Sequence, residues 1–566
     1  MPEVPVPQAI VDHPMRSRYR PSLAGWLAIL IGLTLSLPLI SIVMSVFQEG
    51  QGNWPHLVDT VLPRYVVNSL YLTVAVGLGV GLIGVGCAWL VVMCQFPGRR
   101  VFEWALILPL AMPAYVVAYA YTDVLQSSGP VQVWWREITG LRFGEYWFPQ
   151  IRSLGGAITV FIFVLYPYVY LLARTAFLEQ SVATLEASRM LGKTPWGAFQ
   201  KIALPLARPA IVVGVSLALM ETLADFGTVF HFGVQTFTTG IYRTWASLGD
   251  KVAAAQLSSA LLAFVAILLV LERSSRARAK YYESRIRFTS PKSFELKGLR
   301  ALGAFMACAI PLAGGFLLPV FMLLYMHVSA GHDLTNPRYL SMIANSTILA
   351  GVAALVAVVV SLFLAFVARI ERSPATLAVN KIASMGYAIP GTMIAIGILY
   401  PVAFADNFIN QISHGLFGQS IGLVLTGSFA ALILAYMVRF MAVSLNTVSA
   451  SLGKITPNME AAARTLGKGR LATVKRIHAP LISGGLLTAA LIVFVDVMKE
   501  LPATLILRPF NFDTLAIQAY NLAKDERLTQ AATPSLVIVA VGLLPLMILS
   551  RQIMRSRRVA KPVTNL

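Results

Sequence analysis

The chain has 566 residues, of which 57% are hydrophobic and only 12% charged, with a mean hydropathy of +0.72, a composition that excludes an ordinary soluble enzyme. The formal net charge of +20 invites a nucleic-acid reading. The cations, however, cluster beside apolar runs, with no soluble basic domain among them, which argues against that partner. Cys87, Cys94 and Cys308 are the only cysteines, and all lie inside apolar runs, so neither a disulfide framework nor a Cys/His metal cluster is expected.

In chain order, residues 1–21 are polar and Pro-rich and are expected to form a cytoplasmic amino-terminal arm without the form of a cleavable signal. Twelve apolar runs follow, near 22–47, 65–94, 101–125, 153–178, 207–233, 253–271, 302–328, 341–368, 381–405, 420–445, 482–507 and 533–551. Each is long enough to cross a hydrocarbon core of about 30 Å as a helix. Arg16, Arg18 and Arg20 flank the first run, so the amino terminus is placed in the cytoplasm. The loops after even-numbered runs then also face the cytoplasm. They carry Arg99-Arg100, Lys193, Lys201, Arg208, the run from Arg273 to Arg300, Arg369, Arg464, Lys475 and the tail after Arg551, whereas 406–419 on the other side has no Lys or Arg.

The basic stretch 272–300 is read as a cytoplasmic linker between two halves of six runs each, 22–271 and 301–553, with a basic cytoplasmic tail at 554–566. Asn68-Ser69 answers Asn345-Ser346, and Ala111-Met112-Pro113 answers Ala388-Ile389-Pro390. Thr239, Trp245 and Asp250 are matched with Thr514, Tyr520 and Asp525. Six runs per half start and end each half on the same side, so the repeats are parallel. The expected fold class is an all-α integral membrane protein of about twelve spans in two parallel six-helix repeats.

Two polar islands repeat most closely. The first runs Leu185-Glu186-Ala187-Ser188-Arg189-Met190-Leu191-Gly192 and ends at Ile202-Ala203-Leu204-Pro205. The second runs Met459-Glu460-Ala461-Ala462-Ala463-Arg464-Thr465-Leu466-Gly467 and ends at Ile477-His478-Ala479-Pro480. Gly192 suits the left-handed end of one short helix, Thr194-Pro195 the start of a second, and Pro205 its close or kink before the next span. Two copies with the same Gly-to-Ile and Gly-to-Pro spacing point to a docking surface for a two-fold partner.

At these residues the chain resembles the permease subunits of binding-protein-dependent ABC importers, marked by Glu-Ala-Ala, three residues, Gly, nine residues and Ile-x-Leu-Pro. The first copy departs at Ser188. In the second, Ala461 stands at the usual Glu position, with Glu460 one residue earlier, and Ala479 replaces Leu. The resemblance implies a type I importer-like fold and coupling segments built on Glu186, Ala187, Gly192, Ile202 and Pro205, and on Glu460, Ala461, Ala462, Gly467, Ile477 and Pro480. It also implies docking to two copies of a cytoplasmic ATPase, which use ATP-Mg, while this chain binds no cofactor and is not itself an enzyme. Residues 221–228 (Glu-Thr-Leu-Ala-Asp-Phe-Gly-Thr), 237–245 and 499–504 resemble the fused ferric-iron permeases of this group. That implies an inner-membrane protein with both termini cytoplasmic, embedded in lipid and supplied by a periplasmic ferric-binding protein. Thiamine and polyamine permeases share much of the plan.

Intramembrane carboxylates are candidates for the cargo path, because a charge in hydrocarbon is costly. Glu221 and Asp225, and Asp496 and Glu500 at the equivalent positions, are each spaced i,i+4, so the two side chains of each pair are expected to share one helix face. Facing across the pseudo-two-fold axis, the four would form a lane for a hard cation such as ferric iron, which prefers anionic oxygen. The competing reading is an ion pair with Lys499. His231 and His327 are expected to be packed or hydrated, and the tyrosines at 115, 119, 121, 166, 168 and 170, which could supply phenolic oxygens, are expected rather to pack or to belt the interface. Gly192-Lys193-Thr194 fails as a P-loop because Ala187 stands where a glycine is required, and Asp225-Phe226-Gly227 lacks every other kinase element. A proton-coupled secondary carrier is the rival class, but it does not account for the duplicated docking signature.

Overall fold

A computed structural model describes residues 21–50, 52–179, 195–277, 294–331, 336–371, 373–453, 455, 459, 465–467 and 479–559. Eleven described helices are long and apolar enough to cross a membrane, and there are twelve crossings if a bent pair, Arg99–Ala111 with Ala114–Thr139, turned by 91°, is one span. The expected all-helical membrane fold is therefore present. Its one described sheet is a two-residue parallel contact, Cys94–Gln95 with Phe294–Glu295.

The first half contains α1 (Leu23–Ser45), α2 (Asn53–Thr60), α3 (Leu62–Met93), α4 (Arg99–Ala105), α5 (Ala114–Leu125), α6 (Pro130–Thr139) and α7 (Leu154–Glu179). It continues through α8 (Pro195–Ala198), α9 (Leu204–Ala224), α10 (Gly227–His231), α11 (Phe237–Ala246) and α12 (Lys251–Ala277). The second half contains α13 (Leu299–Leu312), α14 (Leu318–Ala330), α15 (Pro337–Glu371), α16 (Pro374–Ala383), α17 (Gly391–Phe417) and α18 (Phe429–Leu452). After these come α19 (Ala479–Met498), α20 (Pro502–Leu507), α21 (Leu515–Lys524) and α22 (Leu528–Val559).

Each half has a three-helix centre, α3, α7 and α9 in one and α15, α18 and α19 in the other. Helices in lipid associate by close packing, since hydrocarbon offers no hydrophobic drive between them. Gly84 and Gly214 supply that closeness: a Cβ on Gly84 would lie 2.6 Å from the Val169 side chain, and one on Gly214 would lie 2.8 Å from the Val169 Cα. The first span of each half crosses over. Helix α1 lies on α16 and α17 of the second half, while α14 lies on α5 of the first; each also packs against the last span of its own half, α12 or α22. Gly397 on α17 meets α1 so closely that a Cβ there would sit 2.5 Å from the Pro38 carbonyl oxygen. Helix α12 runs on to Ala277 and α13 starts at Leu299, both inside the stretch expected as a linker, and in space the segments on either side of it exchange an element.

Several expected spans end differently. The third breaks at Met112-Pro113 and the ninth at Ile389-Pro390, each after a short 3-10 turn, because proline has no N–H to continue the ladder. Helix α17 then runs on to Phe417, through most of the stretch expected as a loop. Pro205 does not close a separate helix. A π-helical turn, Phe199–Ala203, joins α8 to α9 and carries the helix through Pro205 without needing its missing N–H. The spans expected at 207–233 and 482–507 stop at Ala224 and Met498.

The register of the repeat also needs correcting. Asn68 Nδ2 donates to the Gln235 carbonyl at 2.8 Å and Asn345 Nδ2 to the Asp513 carbonyl at 3.2 Å, each just before the threonine that opens the next helix. Thr236 therefore matches Thr514, as the N-caps of α11 and α21, and Tyr242 matches Tyr520. The expected match of Thr239 with Thr514 is three residues out of register, because equal chain spacing overlooks an insertion in the connecting turn.

Candidate functional site: a carboxylate-lined central cavity

Both helices that carry the intramembrane acids are broken at the acids. Helix α9 stops at Ala224, and Asp225 is extended, with φ −67° and ψ 137°. Its carboxylate accepts the Thr228 and Val229 amides at 2.9 and 3.2 Å and the Thr228 hydroxyl at 3.0 Å, so it caps α10. The carbonyl left over at the break accepts the Thr238 hydroxyl at 2.6 Å. In the second half α19 stops at Met498, Glu500 Oε1 accepts the Ala503 amide at 3.0 Å at the start of α20, and the Thr504 hydroxyl donates to the Glu500 carbonyl at 2.9 Å. Non-helical backbone at membrane depth is stable where protein or a polar cavity satisfies it, as here.

The i,i+4 expectation is thus overturned in its geometry, since neither Asp225 nor Glu500 lies on the helix of its partner acid. The convergence it was meant to explain is nevertheless present. Glu221, Asp225, Asp496 and Glu500 all line one cavity of about 110 Å³, together with Arg439, Lys499, Tyr115 and Tyr168. Such a volume holds several waters by the usual measure of about 10–15 Å³ per water. Two cations stand against the four acids. Lys499 Nζ lies 2.9 Å from Asp496 Oδ1, and Arg439 Nε lies 3.4 Å from Glu500 Oε2. The ion pair named as the competing reading therefore exists within the cavity wall. Among the described residues no group of three or more His, Cys, Asp or Glu side chains is arranged as a metal site.

Arg439 escaped the sequence reading. Its signal was the one that singled out the acids, a lone charge within the apolar run 429–445. Gly391, at the start of α17, gives the pair its room: a Cβ there would fall 2.4 Å from Arg439 Nη1 and 2.6 Å from Glu500 Oε1.

A second cavity, of about 140 Å³, lies one helical turn away and is lined by Tyr119, Phe230, His231, Arg152, Lys524 and Glu526. Tyr115 faces the first cavity and Tyr119 the second, with ring centroids 5.6 Å apart; Phe226 and Phe230 repeat the arrangement at 5.0 Å. The equivalent tyrosines 242 and 520 flank Phe226 at 4.8 and 5.9 Å, completing an aromatic septum between the cavities. Beyond it, Arg152 and Glu526 join the two halves through two parallel hydrogen bonds, one of 2.7 Å. His231 Nε2 lies 3.0 Å from the Thr122 hydroxyl and His327 Nδ1 lies 3.0 Å from that of Thr533, so both rings are packed and hydrogen-bonded as expected. The three cysteines are buried free thiols.

Of the docking residues, Ile202 lies in the π-helical turn, Pro205 in the first turn of α9, and Pro480 exposed in the first turn of α19. Gly467 is exposed with φ +70°, the left-handed geometry expected for the glycine of this signature. Glu186, Ala187, Gly192, Glu460, Ala461, Ala462 and Ile477 lie outside the described residues.

Comparison with known proteins agrees with this architecture. The family described as the binding-protein-dependent transport system inner membrane component matches residues 80–288. The chain is 27% identical to the Fe(3+)-transport system permease protein FbpB 2 of Haemophilus influenzae, over 93% of this chain and 97% of that one. It is 24% identical to the ferric transport system permease protein FbpB of Actinobacillus pleuropneumoniae, over 88% of this chain and 73% of the relative. It is also 31% identical to the molybdenum transport system permease protein ModB of Escherichia coli, over 35% of this chain and 87% of ModB.

Proposed function

Because this chain belongs to the family of binding-protein-dependent transport system inner membrane components, we propose that it is the fused permease of an ATP-driven importer whose cargo is ferric iron. The observation that carries the cargo choice is the central cavity, where four carboxylates from two broken helices face two cations. The excess of anionic oxygen suits a hard trivalent cation. Similarity along nearly the whole chain to a permease named for Fe(3+) transport supports the same choice.

In this reading the protein crosses the bacterial inner membrane many times, with both termini, the 272–300 linker and the 554–566 tail in the cytoplasm. Its halves, 22–271 and 301–553, surround the path. The segments from Glu186 to Pro205 and from Glu460 to Pro480 dock two ATPase subunits, and the left-handed Gly467 supports the helix-turn-helix form that such docking needs. ATP-Mg is used by those partners, and this chain holds no cofactor of its own. A ferric-binding protein delivers cargo on the opposite side, where the Arg152–Glu526 bridge and the aromatic septum close the way to the central cavity. ATP-driven closure of the partners then rocks one half against the other and moves the opening from one side of the cavity to the other. Carboxylates capped by amides and paired with Lys499 and Arg439 keep the cavity's oxygens oriented between turnovers.

The test is ATP hydrolysis and metal uptake by proteoliposomes containing the complex and its binding protein. Stimulation by ferric iron, with little response to thiamine or polyamines, is expected. Stimulation by thiamine or a polyamine alone would overturn the cargo, and uptake independent of the ATPase would overturn the importer class.

A further inference from the structure

Helix α6 is amphipathic in the reverse sense for a helix resting on a protein. Its polar side is turned inward: Gln132, 6% exposed, donates to the Leu125 carbonyl and accepts from the Tyr146 hydroxyl, both at 2.8 Å. Arg136 donates to the Ser127 carbonyl at 2.9 Å and to the Tyr146 hydroxyl at 3.1 Å. The apolar side is turned out, with Trp134 at 58% and Ile138 at 63% exposure and Trp135 exposed between them. The loop that follows continues the pattern through Phe143 and Trp147, the latter 86% exposed. Glu137 and Thr139 are exposed as well, but bulk water would favour displaying Gln132 and hiding Trp134, Trp135 and Ile138, the reverse of what is seen.

The surrounding chain identifies the medium. Residues 126–129 are all that separate α6 from the end of the membrane-embedded α5, against which it packs, and residues 140–153 return the chain to the span α7. This connectivity sets α6 beside the ends of α5 and α7, where the chain would leave the hydrocarbon. Tryptophan is the residue that concentrates at that boundary, with its ring in the acyl region and its N–H toward the headgroups.

We propose that α6 and the Trp147 loop lie in the membrane–water interface and anchor segment 126–153 to phospholipid. The anchor fixes the depth of Arg152, which ends this segment and clasps Glu526 of the other half. Lipid therefore holds one jaw of that clasp.

The test uses the full chain in phosphatidylcholine vesicles, with Trp135→Cys and Ile138→Cys each labelled by an environment-sensitive bimane. The native thiols Cys87, Cys94 and Cys308 are buried, and the unsubstituted protein serves as the blank. Both labels are expected to be quenched by lipids brominated near the headgroup. Aqueous iodide should quench them several-fold less than a label at Glu49→Cys, an exposed position outside segment 126–153. Iodide quenching equal to that of the Glu49 label, without bromolipid quenching, would overturn the proposal. So would shielding from iodide that requires the binding protein and leaves bromolipid without effect, since the face would then be a protein dock.

Discussion

Arg439 and Glu500 meet in the cavity wall, one from the middle of α18 and the other from the break after α19, with Nε 3.4 Å from Oε2. Glu500 is 5% exposed and also accepts the Ala503 amide, so it depends on Arg439 for charge and on α20 for geometry. Removing one partner of such a pair strands a buried charge at a cost of about 3–5 kcal/mol. We expect Arg439→Met to lose stability on that scale, and adding Glu500→Gln to restore part of it, because glutamine still accepts the amide. Thermal unfolding in detergent micelles reads both, and purely additive losses would refute the coupling.

Asp225→Asn separates charge from capping. The asparagine oxygen still accepts the Thr228 amide, so α10 should hold while the anion disappears. Ferric uptake is expected to fall about tenfold or more, equivalent to about 1.4 kcal/mol or more on a barrier, with normal assembly. Asp225→Ala should in addition cost about 0.5–2 kcal/mol for the lost cap. Uptake by the asparagine variant at the original rate would remove Asp225 from the path.

The exchange of α1 is tested at Gly397. Its missing Cβ would stand 2.5 Å from the Pro38 carbonyl oxygen, which is backbone and cannot swing aside. Gly397→Ala is expected to destabilise the protein by about 1–3 kcal/mol through overpacking. Cross-linking between cysteines placed on α1 and α17 should weaken with it; unchanged cross-linking and stability would mean the two helices do not meet there.

Glu526 is held in the left-handed region, φ 58°, although it is not glycine, and Arg152 keeps its carboxyl below the ordinary value. A depressed folded-state value stabilises above the unfolded value of about 4.3 and loses that contribution as the pH falls through the lower folded value. The clasp should therefore persist at neutral pH and release only in strong acid. Because the pair is exposed, the effect on global stability is small. At neutral pH, where a thiol can react, Glu526→Gln should raise the accessibility of Phe230→Cys to a charged reagent. Equal labelling of both proteins at pH 7 would show that the bridge does not close the entrance.

Gly467 has φ +70° and open space around it, so only backbone strain opposes a side chain. Gly467→Ala is expected to strain the turn by about 1–2 kcal/mol and to weaken association with the ATPase, measured by co-purification, while leaving the membrane body intact. Undiminished co-purification would separate this turn from docking.

Hydropathy and charge bias made the spans legible, since whether a run suits lipid depends mainly on that run's own residues. The four acids were legible for the same reason, and Arg439 would have been by the same rule. The two halves could be paired through Asn68-Ser69 and Asn345-Ser346, but not the register of the turns beyond them: only the bonds to Gln235 and Asp513 reveal which threonine opens each following helix.

Membrane residence, a duplicated plan and charges placed against the grain of hydrocarbon can thus be read from the order of residues, because each reflects a local preference or a spacing. The breaks at Asp225 and Glu500, the crossing of α1 and α14 between halves and the pairing of Arg439 with Glu500 arise only on folding. There a carboxylate finds amides, a glycine admits a carbonyl and a charge meets its opposite across elements far apart in the chain. Those encounters are energies of position, and no local pattern carries them.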